Sequence, residues 1–364
     1  MSKIAIDGTA LYGRFGGVEY ALSSLLGALG EIDQENHYVV YVPRDAPAPV
    51  VQNARWRWAQ LPFVGANKLR RIAWQQRELP RLLQCDGCDL LHAPTYVCPL
   101  SCPVPIVLGV YDLIALTHPQ FATRANRLHY GTLLPRCLKG AREIIVPTQA
   151  IKTDVEKYAP DAKTHVVPLG VENDFRRAVN EDEREIMRRR YSLPDDFILF
   201  VGNHEPKKNL ASLLRALPFV PGAPPLVVVG GVHSWRGYAP QTNARVLDLG
   251  YVPRRDLPGL YVMCRAFVFP TLAEGFGLPI LEALACGAPV VAGQAAPLPD
   301  LEKVALLCDA QRPADIARQL RRVLLDGELS AELSRNGREY ARPFTWRRSA
   351  EMTLRVYDAA LKSK

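Results

Sequence analysis

The chain has 364 residues, 48% of them apolar and 23% charged, a composition that excludes a disordered or collagen-like class and allows a sizeable buried core. At roughly 150 residues per domain, the length favours two domains. The net charge of +8 and pI near 9.1 suit an anionic partner, whether phosphate ligand, acidic lipid surface or nucleic acid. The excess is spread over both halves with no basic tail, so no nucleic-acid partner is expected.

No apolar run reaches about 18 residues, and MSKIAIDG enters a strand pattern without the layout of a signal peptide, so a cytoplasmic protein is expected. Short apolar runs alternate with longer helical patterns, which predicts a doubly wound α/β fold with parallel sheets. In the first half, strands are predicted at 3–7, 38–42, 89–92, 105–110, 143–146 and 165–167. Between the first two, Val18, Ala21, Leu22, Leu25, Leu26 and Leu29 repeat at helical spacing directly after Gly16 and Gly17.

Residues 67–83 place Leu69, Ile72, Ala73, Leu79 and Leu83 on one side and Arg70, Arg71, Arg77 and Arg81 largely opposite, with Trp56, Trp58 and Trp74 nearby. Such a segment suits peripheral contact with an anionic membrane at its inner face; it equally suits an ordinary surface helix, and Pro80 interrupts it. Cys85, Cys88, Cys98 and Cys102 have a spacing that a zinc site can use, but DLLHAPTYV between the pairs reads as a buried strand and its exit loop. Free thiols in a reducing compartment are expected instead.

A polar stretch at 172–190 precedes a second strand series at 197–201, 226–229, 246–249, 266–269, 290–292 and 305–307. PLGVE punctuates the crossing near 168–172. The expected organisation is an N-terminal Rossmann-like domain over 1–170, a C-terminal one over 171–345, and a helix over 346–364 that packs back toward the first. Two such domains facing across a cleft present the carboxyl ends of both sheets, where open α/β folds bind ligands.

The sharpest motif follows the strand AFVFP. A loop with Gly275 and Gly277 leads into a helix with Pro279 at its start and Gly287 at its end, which offers amides and a positive dipole end to an anion such as a diphosphate. Glu274 and Glu282 flank the loop. On spacing alone, Glu282 either accepts hydrogen bonds from vicinal hydroxyls such as a ribose or simply complements the helix dipole.

The segment EGFGLPILEALACGAPVVA resembles the donor-binding signature of family 4 retaining glycosyltransferases, which have the GT-B fold. That resemblance implies that Glu274 contacts the transferred sugar, that the amides of Gly275, Phe276, Gly277 and Leu278 hold sugar hydroxyls and phosphate, and that Glu282 holds the ribose. FVGNHEPKKNLASLLRAL is similar to the segment that opens the family's C-terminal domain. Lys207 and Lys208 are then the catalytic cations that neutralise the departing diphosphate, with Gly202 and Asn203 on the donor side; the family more often has Arg in this loop. LGYVPRRDLPGLY resembles the base-recognition turn, where backbone at Tyr251 and Val252 meets the nucleobase.

In the first domain, Gly16 and Gly17 resemble the glycine loop that approaches the donor. GVYDLIALTHPQF resembles a segment that often reads His-Asp-Leu; here Tyr111 replaces the His, and Tyr111, Asp112 and His118 are candidates for the acceptor or sugar side, each also readable as a satisfied polar group beside a strand end. No two Asp residues lie two positions apart, so the Asp-x-Asp metal motif is missing, and no metal or cofactor is expected. The reading implied is a retaining transfer of a hexose, of the GDP-mannose kind, from a nucleotide sugar to a saccharide or lipid-linked acceptor in surface polysaccharide synthesis. The alternatives are a catalytically silent subunit and a nucleotide-sugar epimerase.

Overall fold

The computed structural model describes residues 1–13, 16–231 and 245–362. They form two compact units, Met1–Gly170 with Phe344–Lys364, and Val171–Pro343.

The first unit opens with β1 (Lys3–Asp7), α1 (Gly17–Ile32), β2 (His37–Val42), β3 (Trp56–Gln60), α2 (Lys68–Arg77) and α3 (Leu79–Cys85). It continues with β4 (Leu90–Ala93), β5 (Ile106–Gly109), α4 (Ile114–Thr117), α5 (Arg124–Gly140), β6 (Glu143–Val146), α6 (Gln149–Tyr158) and β7 (Thr164–Val166). Its described strands pair in the order β3-β2-β1-β4-β5-β6-β7, all parallel. The central strands are short apolar runs buried on both faces, as parallel sheets covered by helices require. α1 buries Ala21, Leu22, Leu25, Leu26 and Leu29, the stripe its spacing predicts.

The edge strand β3 was not expected. Only Trp56 of WRWAQ is buried, stacked on Tyr38 at 4.1 Å, and a half-exposed edge carries no continuous apolar signal. The segment at 67–83 is two helices broken at Glu78, with Pro80 in the first turn of α3, where its missing N–H costs no bond. Leu79, Leu83 and Trp74 are core, and of the predicted apolar side only Leu69 stands out to solvent. The aromatic residues expected beside a membrane surface are thus Trp56 and Trp74 in the core and a half-buried Trp58 that donates to the Val51 carbonyl. All eight cysteines are free thiols; Cys98 turns into the core, where its amide donates to Cys137 Sγ, while Cys85 is exposed.

The second unit runs α7 (Glu181–Tyr191), β8 (Ile198–Val201), α8 (Leu210–Ala216), β9 (Leu226–Val229), β10 (Val246–Gly250), α9 (Leu257–Met263), β11 (Ala266–Phe269), α10 (Leu278–Cys286), β12 (Val290–Gly293), β13 (Leu306–Cys308), α11 (Pro313–Leu325) and α12 (Gly327–Ala341). Its described strands pair in parallel in the order β10-β9-β8-β11-β12-β13. α7, in the stretch read only as polar, starts on a capping box between Asn180 and Glu183.

The last helix, α13 (Trp346–Lys362), belongs to the first unit, where it lies against α1. Its Tyr357 hydroxyl lies 2.7 Å from Nδ1 of the buried His92 on β4. Among the described residues no helix is long and apolar enough to cross a membrane.

Candidate active site

Each sheet reverses its strand order once. In the second unit β8 is laid down first, the chain adds β9 and β10 on one side, and then returns to place β11 on the other. The carboxyl ends of β8 and β11 therefore diverge into loops that leave a crevice between them, the usual ligand position in open α/β sheets.

Those two loops carry Lys207, Lys208 and Glu274. A 3-10 turn, Pro206–Lys208, follows β8 and ends at Asn209 with φ 59°, a left-handed conformation that Asn tolerates. The Asn209 amide reaches across to the carbonyls of Pro270 and Ala310, at 3.1 and 2.6 Å. Leu272 N–H and Thr271 Oγ1 both donate to the Lys207 carbonyl, at 2.7 and 3.1 Å. The two loops are thus pinned to one another.

That pinning brings the Lys208 ammonium onto the Glu274 carboxylate, both side chains being nearly buried, with the ammonium also 4.8 Å from the Phe269 ring centre. Burial alone raises the Glu274 pKa, but the charges of Lys208 and Lys207 and the hydrogen bonds from Lys208 and the Gly275 amide hold it below the usual carboxylate range. Lys207 Nζ lies 3.6 Å from Glu205. Gly277 caps α10 at φ 91°, a left-handed conformation that glycine adopts without steric cost, and the amides of Gly277 and Leu278 donate to no backbone carbonyl among the described residues. Phe276 is buried beneath this turn. The result is a cation, a carboxylate and a helix N-terminus within one loop pair, suited to a ligand with hydroxyls and phosphate.

Glu282, in the second turn of α10, has partners the sequence did not reveal. Arg254 donates to it at 2.7 Å and to Glu172 at 2.9 Å, its guanidinium 4.7 Å from the Phe175 ring, and the Tyr261 hydroxyl donates to the other carboxylate oxygen at 3.1 Å. Burial raises the pKa of Glu282, and Arg254 opposes it. Arg254 lies within LGYVPRRDLPGLY, the segment resembling the base-recognition turn, the one signal that pointed its way. In that segment Tyr251 is exposed and Val252 buried, at the end of β10. Gly202 continues from β8, its amide donating to the Val229 carbonyl at 2.9 Å, and Asn203 follows it into the loop, where its carbonyl accepts from Glu205.

The first unit has its own reversal between β1 and β4. There a cavity of about 230 Å³ is lined by Thr9 after β1, Thr95 to Val97 after β4, Gly16 and Glu19 at the start of α1, Arg71 and Gln75 of α2, and His129 and Tyr130 of α5. Gly16 caps α1 without a side-chain bond, and a Cβ on Gly16 or Gly17 would meet open space, so this edge leaves room for a ligand. Asp7, fully buried, accepts from Thr9 Oγ1 and Gln75 Nε2, each at 2.7 Å, and so fixes the cavity floor.

The three acceptor-side candidates are dispersed. Asp112 accepts from the Tyr96 hydroxyl at 3.1 Å and from the Ile114 amide at 3.0 Å, which places it directly behind the cavity wall. Tyr111 instead packs toward α13, lining a space of about 30 Å³ with His92, Trp346 and Ser349, and burial pushes its phenol well up. His118 lies 3.0 Å from Thr117 Oγ1 and stacks on Phe121, outside the cavity lining.

Family models agree with this division. One described as Glycosyl transferases group 1 matches residues 183–340, and one described as Glycosyltransferase Family 4 matches residues 15–175. The O-antigen chain mannosyltransferase B of Escherichia coli is 25% identical over 305 residues, 79% of this chain and 77% of the relative. The serotype-specific mannosyltransferase WbdA of Escherichia coli is 29% identical over 245 residues, 61% of this chain but only 29% of that longer protein. Among solved structures, sucrose-phosphate synthase of Thermosynechococcus elongatus superposes with a TM-score of 0.81 over the whole of both chains at 19% identity, a likeness of fold.

Proposed function

The chain belongs to the group 1, family 4 glycosyltransferases and has their GT-B fold, and from that membership we propose that it moves a hexose from a nucleotide-diphosphate sugar to a saccharide or lipid-linked saccharide, with retention of configuration and without a divalent metal. The observation that carries this reading is the Lys208–Glu274 contact at the β8/β11 switch point, beside the N-terminus of α10. In the transfer, the bond from the anomeric carbon to the diphosphate oxygen breaks as a bond to the acceptor hydroxyl oxygen forms on the same face. The acceptor proton passes to the departing phosphate oxygen. Negative charge grows on the nucleoside diphosphate, and Lys207, Lys208 and the amides at Gly277 and Leu278 are fixed groups able to stabilise it, the role a metal plays elsewhere. Glu274 meets the sugar and Glu282 the ribose. Tyr251 and Val252 lie at the base end.

The names of the relatives favour mannose as the hexose and a cell-surface polysaccharide as the product. The second unit is the donor side and the first, with its cavity between β1 and β4, the acceptor side. NMR of the product made from an α-linked nucleotide sugar is expected to show an α-glycoside. A β-glycoside would overturn retention.

A further inference from the structure

We propose that Asn209 is a positioning residue for the transfer: its side-chain amide ties the loop after β8 to the exits of β11 and β13 and thereby holds the Lys208 ammonium on the Glu274 carboxylate. The proposal rests on the reading of the second unit as the donor side.

Asn209 is the N-cap of α8, a position where an asparagine oxygen ordinarily accepts from an amide of the helix's first turn. That bond is not made here. The backbone is left-handed, at φ 59° and ψ 35°, and the buried side-chain nitrogen donates instead to the Pro270 carbonyl at 3.1 Å and the Ala310 carbonyl at 2.6 Å. Both acceptors are carbonyls, so an amide turned the other way would set its oxygen against two others, and the nitrogen's place follows from the chemistry. Pro270 follows β11 and Ala310 follows β13, on either side of β12 in the sheet. The exit of β12 is packed as closely, since a Cβ on Gly293 would stand 2.4 Å from the Thr271 carbonyl oxygen.

The position makes two demands at once. A left-handed backbone favours Gly, Asn or Asp, and two carbonyls within reach of a short side chain call for two donors, which Gly and Asp lack. Asparagine alone meets both.

Lys208 directly precedes this anchor, and a second anchor lies just before it, where the Lys207 carbonyl accepts from the Leu272 amide and Thr271 Oγ1. The backbone is therefore held on both sides of Lys208, against the loop that carries Glu274. The lysine stem is flexible and does not fix its own charge, so the place of the ammonium depends on those anchors. A cation already in place can stabilise the charge that grows on a departing diphosphate without reorganising.

The test uses the full chain with Asn209→Gly, which keeps the left-handed turn and removes the amide, and Asn209→Ala, which removes the amide and strains the turn. Transfer kinetics at varied donor concentration, thermal unfolding, and carbon NMR titration of the Glu274 carboxyl, identified by its loss in Glu274→Gln, are read on each. Burial raises the Glu274 pKa and the charges of Lys208 and Lys207 bring it below the usual range, so a loosened Lys208 lets it rise. Both variants are expected to show a higher Glu274 pKa, an acid limb of kcat moved to higher pH, and kcat lowered about tenfold with donor KM changed by less than about threefold. Asn209→Ala should unfold at a lower temperature than Asn209→Gly while sharing these changes. A side chain that only stabilises the fold would lower the unfolding temperature and leave Glu274 and kcat as they are; that result in Asn209→Gly, or a change confined to KM, overturns the proposal. Absence of transfer by the unaltered chain from any nucleotide sugar would count against the transferase reading alone, because the Glu274 titration needs no substrate and still decides the role of Asn209.

Discussion

Inside α10, Glu282 is almost wholly out of water, and its charge is tolerated because Arg254 and Tyr261 aim donors at both oxygens. Removing one partner of a buried pair leaves the other uncompensated, which costs more than the pair contributes. Arg254→Met is therefore expected to raise the Glu282 pKa further, since burial already raises it and only Arg254 and Tyr261 oppose that. The acid limb of kcat/KM should move to higher pH and the donor KM rise about tenfold, with Arg254→Lys partly restoring both. An unchanged pH profile and KM would remove Arg254 from the donor site. Glu274 and Lys208 were legible because their loops carry dense motifs. Arg254 was not, because its meeting with Glu282 and Glu172 arises from how α9 and α10 pack rather than from any local spacing.

At the scale of elements, the buried parallel strands were readable as short apolar runs, and β1, β9 and β11 have the predicted bounds. β3 escaped because an edge strand needs only one apolar face, whereas the break between α2 and α3 was signalled by Pro80 and falls at Glu78, two residues before it. The pairing of α13 with β4 through Tyr357 and His92 is also invisible locally, being a contact between distant parts of the chain. It makes a stability prediction. Burial lowers the His92 pKa to about 3 from the ordinary 6.5, so between those values the unfolded chain binds a proton that the folded one refuses. Stability from this group is complete above pH 6.5 and is lost as pH falls below it, at up to about 1.4 kcal/mol per unit. Urea unfolding at pH 7 and pH 5 should show wild type losing about 2 kcal/mol more than His92→Asn, which keeps an acceptor for the tyrosine and cannot titrate. Equal losses would contradict the neutral, buried histidine.

For the whole molecule, two doubly wound units were foreseeable from the alternation of strand and helix patterns, and each turned out to carry polar side chains at its own strand-order reversal. The site of the second unit was the more legible half, since Lys207, Lys208, Glu274 and the start of α10 fall in two short loops that follow β8 and β11. The first unit was less so: Tyr111, Asp112 and His118 diverge, while the cavity is built from Thr9, Arg71, Gln75, His129 and Tyr130, gathered from three separate stretches of chain. The proposed reaction is acceptor-dependent transfer from a nucleotide sugar without a metal ion. Release of nucleoside diphosphate from GDP-mannose and its UDP, ADP and dTDP counterparts, followed in EDTA with and without a mannose-containing acceptor, tests it most directly. Release from at least one donor is expected to rise sharply on adding acceptor and to be unaffected by EDTA; release indifferent to acceptor, or abolished by EDTA and restored by a divalent ion, would rule the proposed reaction out.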